Sequence, residues 1–309
     1  TEESAQAFRY AIETGVSTLE LDIVMSKDGI PVVWHDPDVQ AEKCHDTAPA
    51  TPNDHMYPYV GKLVHNLNWS QLQTLSCDKK LADFPGQKVA KDNRMIQLKD
   101  VFDIVKKYGA EKDIYYNIET KVEADDHSKS AEPKEFVDAI MGAVKDAGVQ
   151  DKVMIQSFDW RTFPLMKDVA PEVPLVMLYD ETTWLKDSKW TGDVNYDDVN
   201  GDVIKAAKKL GVQVLSPGYT NPYGLLPGQK DYKLVADKKF IDAAHKEGLR
   251  VVPWTIDNKD VLAQQIEAGA DGIITDYPTM LRKVMKDKGL SLPKSFTLKK
   301  GDSEAIKKD

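Results

Sequence analysis

The chain reads as an α/β protein whose parallel sheet closes as a (β/α)8 TIM barrel. Short apolar segments begin near residues 18, 114, 153, 174, 212, 250 and 272. The amphipathic segments among them stop at glycines, Gly109, Gly148, Gly211, Gly248 and Gly269. Strand-then-helix units of this kind specify a parallel sheet. No Gly-x-Gly-x-x-Gly turn follows any strand, which counts against an open doubly wound sheet. Seven strands leave a closed barrel one short, and the gap falls at the first strand, because the opening helix has no strand before it.

The 309 residues are 41% hydrophobic and 29% charged, normal for a globular chain with a large core. A net charge of −9 argues against a nucleic-acid backbone as partner. No run approaches eighteen apolar residues, so no transmembrane segment is expected. The two cysteines, Cys44 and Cys77, flank one polar segment and lack metal-ligand spacing; they are two free thiols or one bridge.

Taken in order, Glu2 to Thr14 is a helix with Ala5, Phe8, Ala11 and Ile12 as its apolar stripe. Leu19 to Val24 alternates as a strand, so that Glu20 and Asp22 share one face. Lys27-Asp28-Gly29 turns the chain, and Ile30 to Trp34 returns it to deliver His35-Asp36. Residues 37–96 form a long, proline-rich insertion with one short helix, about Trp69 to Leu75, and too little apolar content to hold itself down. Helices are expected over Gln97–Tyr108, Pro133–Ala147, Trp160–Val169, Asp202–Leu210, Lys238–Glu247, Lys259–Ala268 and Thr279–Lys286. Strands are expected over Ile114–Glu119, Val153–Ser157, Pro174–Tyr179, Val212–Ser216, Arg250–Thr255 and Gly272–Thr275. This makes residues 1–286 a single barrel domain and 287–309 a polar, loose C-terminal tail.

Barrels of this class carry their chemistry at the carboxyl ends of the strands. Those ends read Glu20 and Asp22, Glu119 and Lys121, Gln156 and Asp159, Trp254 and Asp257, then Thr275 and Asp276. Glu20, Asp22 and Glu119 aimed into one mouth repel each other unless a positive charge sits among them. A divalent cation answers this, and all-oxygen ligation points to a hard ion, Ca2+ or Mg2+. The plainer reading is a structural Glu119–Lys121 pair. A metal, Lys121 and His35 together suit phosphoryl chemistry: the lysine adds positive charge on a phosphate and the histidine moves a proton. Trp254 offers an apolar wall for the non-reacting part of a substrate, or belongs to the core.

These residues resemble the secreted branch of the glycerophosphodiester phosphodiesterase family, within the superfamily of phospholipase-C-like phosphodiesterase TIM barrels. Glu2-Glu3-Ser4 followed by Ala7-Phe8 is similar to the family's Glu-Asn-Thr start, and Glu20-Leu21-Asp22 to its Glu-x-Asp metal motif. His35-Asp36 resembles its second histidine motif, and Ile118-Glu119-Thr120-Lys121 its Glu-x-Lys motif. Gln156-Ser157-Phe158-Asp159, Pro253-Trp254-Thr255 and Asp271 to Pro278 resemble its later strands. The resemblance implies metal-dependent hydrolysis of a small glycerophosphodiester to glycerol 3-phosphate and an alcohol, through a cyclic phosphate. It implies Glu20, Asp22 and Glu119 as metal ligands, His35 as acid/base, and Lys121, Gln156 and Trp254 on the substrate. The segment with Cys44, Tyr57-Pro58-Tyr59 and Cys77 resembles the secreted branch, which implies an extracellular or periplasmic enzyme and a Cys44–Cys77 disulfide.

The family's other histidine, in a His-Arg-Gly motif, lies just upstream of the Glu-Asn-Thr start and is not in the sequence given, so a parent chain with both is expected. Two alternatives stand beside hydrolysis: a non-catalytic or truncated inactive member that binds a phosphodiester, and a phospholipase-D-like lipid phosphodiesterase. The sequence does not set the oligomeric state.

Overall fold

The computed structural model describes residues 1–298. The chain divides into two compact units: residues 1–153 with the segment from Lys294, and residues 154–293.

The first unit is built on one hairpin and one crossover. Helix α1 (Ala5–Thr14) starts with its apolar stripe at Ala5 and not at Glu2 as expected, because Ser4 caps it: the Ser4 hydroxyl accepts from the Ala7 amide at 3.1 Å. Strand β1 (Thr18–Met25) then runs into a turn where Ser26 Oγ accepts from the Ile30 amide at 2.9 Å and donates to Asp28 at 2.6 Å. Gly29 supplies the positive φ of 80° that the turn requires. Strand β2 (Pro31–Val33) returns antiparallel to β1. Helices α2 (Trp69–Leu72) and α3 (Leu98–Lys107) precede β3 (Tyr115–Thr120), which pairs parallel with β1. Its register sets Glu20 beside Asn117 and Asp22 beside Glu119. Helix α4 (Pro133–Ala147) closes this unit, with proline opening it and the left-handed Gly148 ending it.

The insertion, residues 37–96, differs from the expectation that it cannot hold itself down. Val39, Tyr59, Val64, Leu67, Leu72, Leu75 and Met95 are buried in one cluster with Val24, Val32 and Trp34 of the hairpin. These residues follow no period of 2 or 3.6, so their pattern gives no sign of a core. Cys44 and Cys77 belong to the same cluster and form a disulfide, with Cα atoms 3.9 Å apart. Asp46 accepts from the Tyr59 and Val60 amides at 2.8 and 3.3 Å, replacing sheet or helix partners for that loop backbone. Part of the expected tail is also tied down: Ser295 donates to the Thr14 carbonyl, and Phe296 is 8% exposed with its amide on Ile12. Residues 299–309 of that tail lie outside the described residues.

The second unit takes up strand β4 (Val153–Ser157) from Met154 onward, followed by α5 (Thr162–Val169), β5 (Leu175–Tyr179), α6 (Val203–Leu210), β6 (Val214–Pro217), α7 (Lys238–Lys246), β7 (Arg250–Val251), α8 (Lys259–Glu267) and α9 (Pro278–Asp287). Strands β4, β5, β6 and β7 pair in that order, all parallel. Strand β7 is shorter than expected because Pro253 has no amide for the ladder. The segment expected as a last strand, Gly272–Thr275, is not a regular strand. It runs extended beside the chain after β7, with Asp271 N on Val251 O, Ile274 N on Pro253 O and Ile256 N on Ile274 O at 3.0–3.1 Å. Among the described residues no helix is long and apolar enough to cross a membrane.

Candidate active site

In the first unit, the parallel β1–β3 register brings two acids to adjacent strand ends. Asp22 and Glu119 are each 5% exposed. Burial in a low dielectric opposes both charges, so they cannot both stay ionised cheaply. For Glu119 burial wins, helped by Asp22 and only partly countered by Lys121, and its carboxyl is pushed up well above the usual range. Asp22 is also penalised by burial, but Lys121, a hydrogen bond with Glu3 and the His35 ring more than offset it and hold its carboxyl low. Glu3 sits against Asp22 on its other side: the Asp22 amide donates to Glu3 Oε1 at 3.2 Å. Burial, then Asp22, push the Glu3 carboxyl well up. The arrangement is an ionised Asp22 flanked by two acids that favour the neutral form.

Lys121 lies one residue past β3, with Nζ 3.0 Å from Glu119 Oε2. That contact is electrostatic rather than a well-aligned hydrogen bond, since the same oxygen is buried without a hydrogen-bond partner. Burial disfavours the ammonium, yet Glu119, Asp22 and Glu20 together raise its pKa.

His35 follows β2 and is carried by a second charge chain. Its Nδ1 lies 3.2 Å from Asp36 Oδ1, while Asp36 Oδ2 accepts from Lys43 Nζ at 2.5 Å. Lys43 also pairs with Glu2 at 2.6 Å. Burial penalises the Asp36 carboxylate, but His35 and Lys43 overcome this and bring it down to about 2. The hydrogen bond with Asp36 raises the His35 pKa against the opposing effects of burial and Lys121. The imidazole is half exposed, so a substrate proton can reach it. Lys43 is next to Cys44, so the insertion and its disulfide place the cation that fixes Asp36.

In the second unit the strand ends carry rings instead of charge. Trp254 donates from Nε1 to the Ser216 carbonyl at 2.8 Å. Its ring lies 5.6 Å from Phe158 and 4.9 Å from Tyr223. Gln156 is buried at the end of β4. Asp159, expected among the strand-end acids, is fully buried but held by Arg161, whose Nη2 donates to Oδ2 at 2.6 Å. Asp257 Oδ1 accepts from the Asp276 amide at 2.9 Å and the Thr275 hydroxyl at 3.2 Å.

Buried, neighbouring strand-end acids beside a lysine, with an oriented histidine on the next hairpin, are the arrangement that family comparison can decide. The family model for glycerophosphoryl diester phosphodiesterases matches residues 1–280. The chain belongs to this family. A glycerophosphodiester phosphodiesterase of Caldanaerobacter subterraneus subsp. tengcongensis is 26% identical over 288 residues, 93% of each chain. A solved Silicibacter pomeroyi structure is 24% identical, covering 94% of this chain and 90% of that one, with a TM-score of 0.75. An Oleispira antarctica phosphodiesterase, solved with the product sn-glycerol-3-phosphate, is 16% identical over 92% of this chain and 91% of that one, with a TM-score of 0.64. These likenesses assign the fold class, the TIM barrel of the glycerophosphodiester phosphodiesterases.

The family is generally dependent on a divalent metal. Among the described residues no three His, Cys, Asp or Glu side chains are drawn to metal-ligand spacing. The donor set nonetheless suits a hard cation. Glu20, Asp22 and Glu119 all act on the one lysine, burial forces Glu119 toward the neutral form, and Glu119 Oε2 is buried without a hydrogen-bond donor. Sequence reasoning named Asp22, Glu119, Lys121 and His35, which the first unit brings into one electrostatic network. It did not give roles to Glu3, Asp36 or Lys43. Glu3 and Asp36 adjoin motif residues and were within reach of a motif reading; Lys43 had no local signal, since its partners lie 7 and 41 positions away in sequence.

Proposed function

We propose that this chain hydrolyses glycerophosphodiesters to glycerol 3-phosphate and an alcohol, with a divalent cation, Ca2+ or Mg2+, held by Glu20, Asp22 and Glu119. The observation that carries the reading is the buried Asp22–Glu119 neighbourhood beside Lys121: the lysine holds Asp22 ionised but does not offset the burial of Glu119, which a further cation would. When bound, the cation neutralises charge on the phosphoryl oxygens. Lys121 contacts the phosphate from the same strand end and adds a fixed positive charge there. His35 takes the proton of the glycerol hydroxyl as that oxygen attacks the phosphorus, the P–O bond to the alcohol breaks with the departing oxygen taking a proton from solvent, and a cyclic phosphate closes. Water then opens the ring to glycerol 3-phosphate. Asp36, itself fixed by Lys43, orients the imidazole. Gln156 and Trp254 are the candidates for further substrate contact. The Cys44–Cys77 bridge supports an oxidising compartment, so we place the enzyme outside the cytosol, secreted or periplasmic.

The test joins binding and turnover. Glu119→Gln should weaken Ca2+ or Mg2+ binding by calorimetry about tenfold or more, and release of glycerol 3-phosphate from glycerophosphodiesters should fall with it. A folded Glu119→Gln protein that binds the ion and turns over like the parent would remove Glu119 from the metal site.

A further inference from the structure

In the first unit, Glu3 combines unfavourable features at one position. Its backbone has a φ of 52°, in the left-handed region that asparagine visits readily and glutamate rarely. The likeness of Glu2-Glu3-Ser4 to a Glu-Asn-Thr start sets Glu3 at the asparagine, so this chain departs from the residue that its own backbone favours. The side chain adds a second cost. Oε1 accepts from the Asp22 amide at 3.2 Å. Oε2 is buried and has no hydrogen-bond partner among the described residues. A side-chain amide has one oxygen, which is enough for the Asp22 amide. The carboxyl group brings a further buried acceptor that nothing satisfies.

The surroundings do not offset these costs. The charges that act most on Glu3 are those of Asp22, Glu20 and Glu2, all of one sign. Lys121 Nζ is taken up by Glu119 at 3.0 Å, and Lys43 by Asp36 and Glu2. On the other side of Asp22, Glu119 is 5% exposed, and its Oε2 is also buried without a hydrogen-bond partner. Asp22 thus adjoins two carboxyl groups that each hold back one unpartnered oxygen. Strained backbone and unsatisfied buried groups gather where function requires them. Carboxyl oxygens lacking donors are what a hard divalent cation takes as ligands.

We propose that Glu3 is a fourth carboxylate of the metal centre, beside Glu20, Asp22 and Glu119, and that a divalent cation is what its second oxygen serves. The proposal rests on the metal-dependent reading above. Through Oε1 Glu3 also holds the Asp22 backbone in place, so it positions one ligand and adds to the negative charge that receives the ion.

The experiment measures Ca2+ and Mg2+ binding to the full chain by calorimetry and, separately, the urea unfolding midpoint in the presence of a chelator. Glu3→Gln keeps an oxygen for the Asp22 amide and removes the charge. Glu3→Asn also suits the left-handed backbone. Both should weaken ion binding about tenfold or more. In chelator, Glu3→Asn should unfold at no lower urea concentration than the parent, because strain and an unpartnered oxygen leave together. A purely structural Glu3 gives the opposite pattern, unchanged affinity and a lower midpoint. A folded Glu3→Gln protein that binds both ions like the parent would overturn the proposal, and so would a lower chelator midpoint, or loss of folding, in Glu3→Asn. Glu119→Gln, measured alongside, separates this proposal from the reading beneath it. If Glu119→Gln weakens binding and Glu3→Gln does not, Glu3 leaves the centre and the metal reading stands. If only the Glu3 variants weaken it, the proposal stands and Glu119 leaves the ligand set. A parent chain that binds neither ion overturns both.

Discussion

The strand ends of the first unit hold charge away from water, whereas those of the second hold rings. At β1 and β3, Asp22 and Glu119 are 5% exposed and depend on Lys121 and on shared protons to stay there. At β4, β6 and β7, Phe158, Trp254, Tyr223 and Tyr219 form a run of ring contacts 4.9–5.6 Å apart. The buried acid of that unit, Asp159, is neutralised by its own neighbour Arg161. The same strand-helix scaffold thus supports two kinds of chemistry. A buried charge has a steep energy surface, because losing one partner leaves the other uncompensated. Ring packing is shallower: its energy is spread over area, and a smaller apolar group retains part of it.

The sharpest test of this contrast is a paired substitution. His35→Ala should lower kcat by about 10²–10⁴-fold, the ordinary contribution of a general acid/base. Trp254→Leu should instead act mainly on KM, by about tenfold, with kcat little changed. Steady-state kinetics on one glycerophosphodiester decides it, and a Trp254→Leu protein whose kcat falls as far as that of His35→Ala would erase the distinction.

The next effect is confined to the first unit. The disulfide closes a loop with a sequence separation of 33, so Cys44→Ser with Cys77→Ser should cost roughly 3–4 kcal/mol in the chain-entropy model. The insertion's own core keeps the loop from unfolding outright, so the variant should remain folded with a lower denaturant midpoint. Because Lys43 adjoins Cys44, it should also lose activity. An unchanged midpoint in urea would show that the aperiodic core alone holds the insertion.

The smallest effect is the pH dependence of the charge chain in the first unit. Asp36 falls to about 2 in the folded chain against an ordinary value near 4. A depressed carboxyl contributes stability above its unfolded value and loses it as pH drops through the folded one. Asp36→Asn should therefore be less stable than the parent by about 1–2 kcal/mol at neutral pH, discounted for its partial exposure to solvent. The gap should close between about pH 4 and pH 2. His35 acts with the opposite sign: its raised pKa contributes stability below about 6.5 that disappears as pH rises through the folded value. Unfolding curves over this range check both, and a gap that persists at pH 2 would rule out the Asp36 assignment.

The repeating parts of the fold were legible because a period and its punctuation are local. Helix α4 and strand β4 fall on the residues their patterns indicate, each fixed by proline, glycine or alternation nearby. The errors lie where a partner elsewhere decides. Pro253 ends β7 early and leaves Gly272–Thr275 extended without a regular ladder. The insertion's core is invisible in sequence because its buried residues satisfy no period and meet only through the fold.

For the candidate site, motif spacing named residues that the fold brings together but not their electrostatic support. Glu20-Leu21-Asp22, His35 and Glu119-Thr120-Lys121 are readable because each motif is short and its spacing of two sets a shared face. That Asp22 stays ionised while Glu3 and Glu119 favour protons is a matter of depth and of which charge lies nearest, and one-dimensional order contains neither. The Lys43–Asp36–His35 chain likewise exists only because the insertion folds back on the hairpin. The sequence by itself determined which residues carry charge and how the βα units repeat. Tertiary structure alone decided which of those charges are buried together, because burial and proximity are properties of packed neighbours rather than of neighbours in the chain.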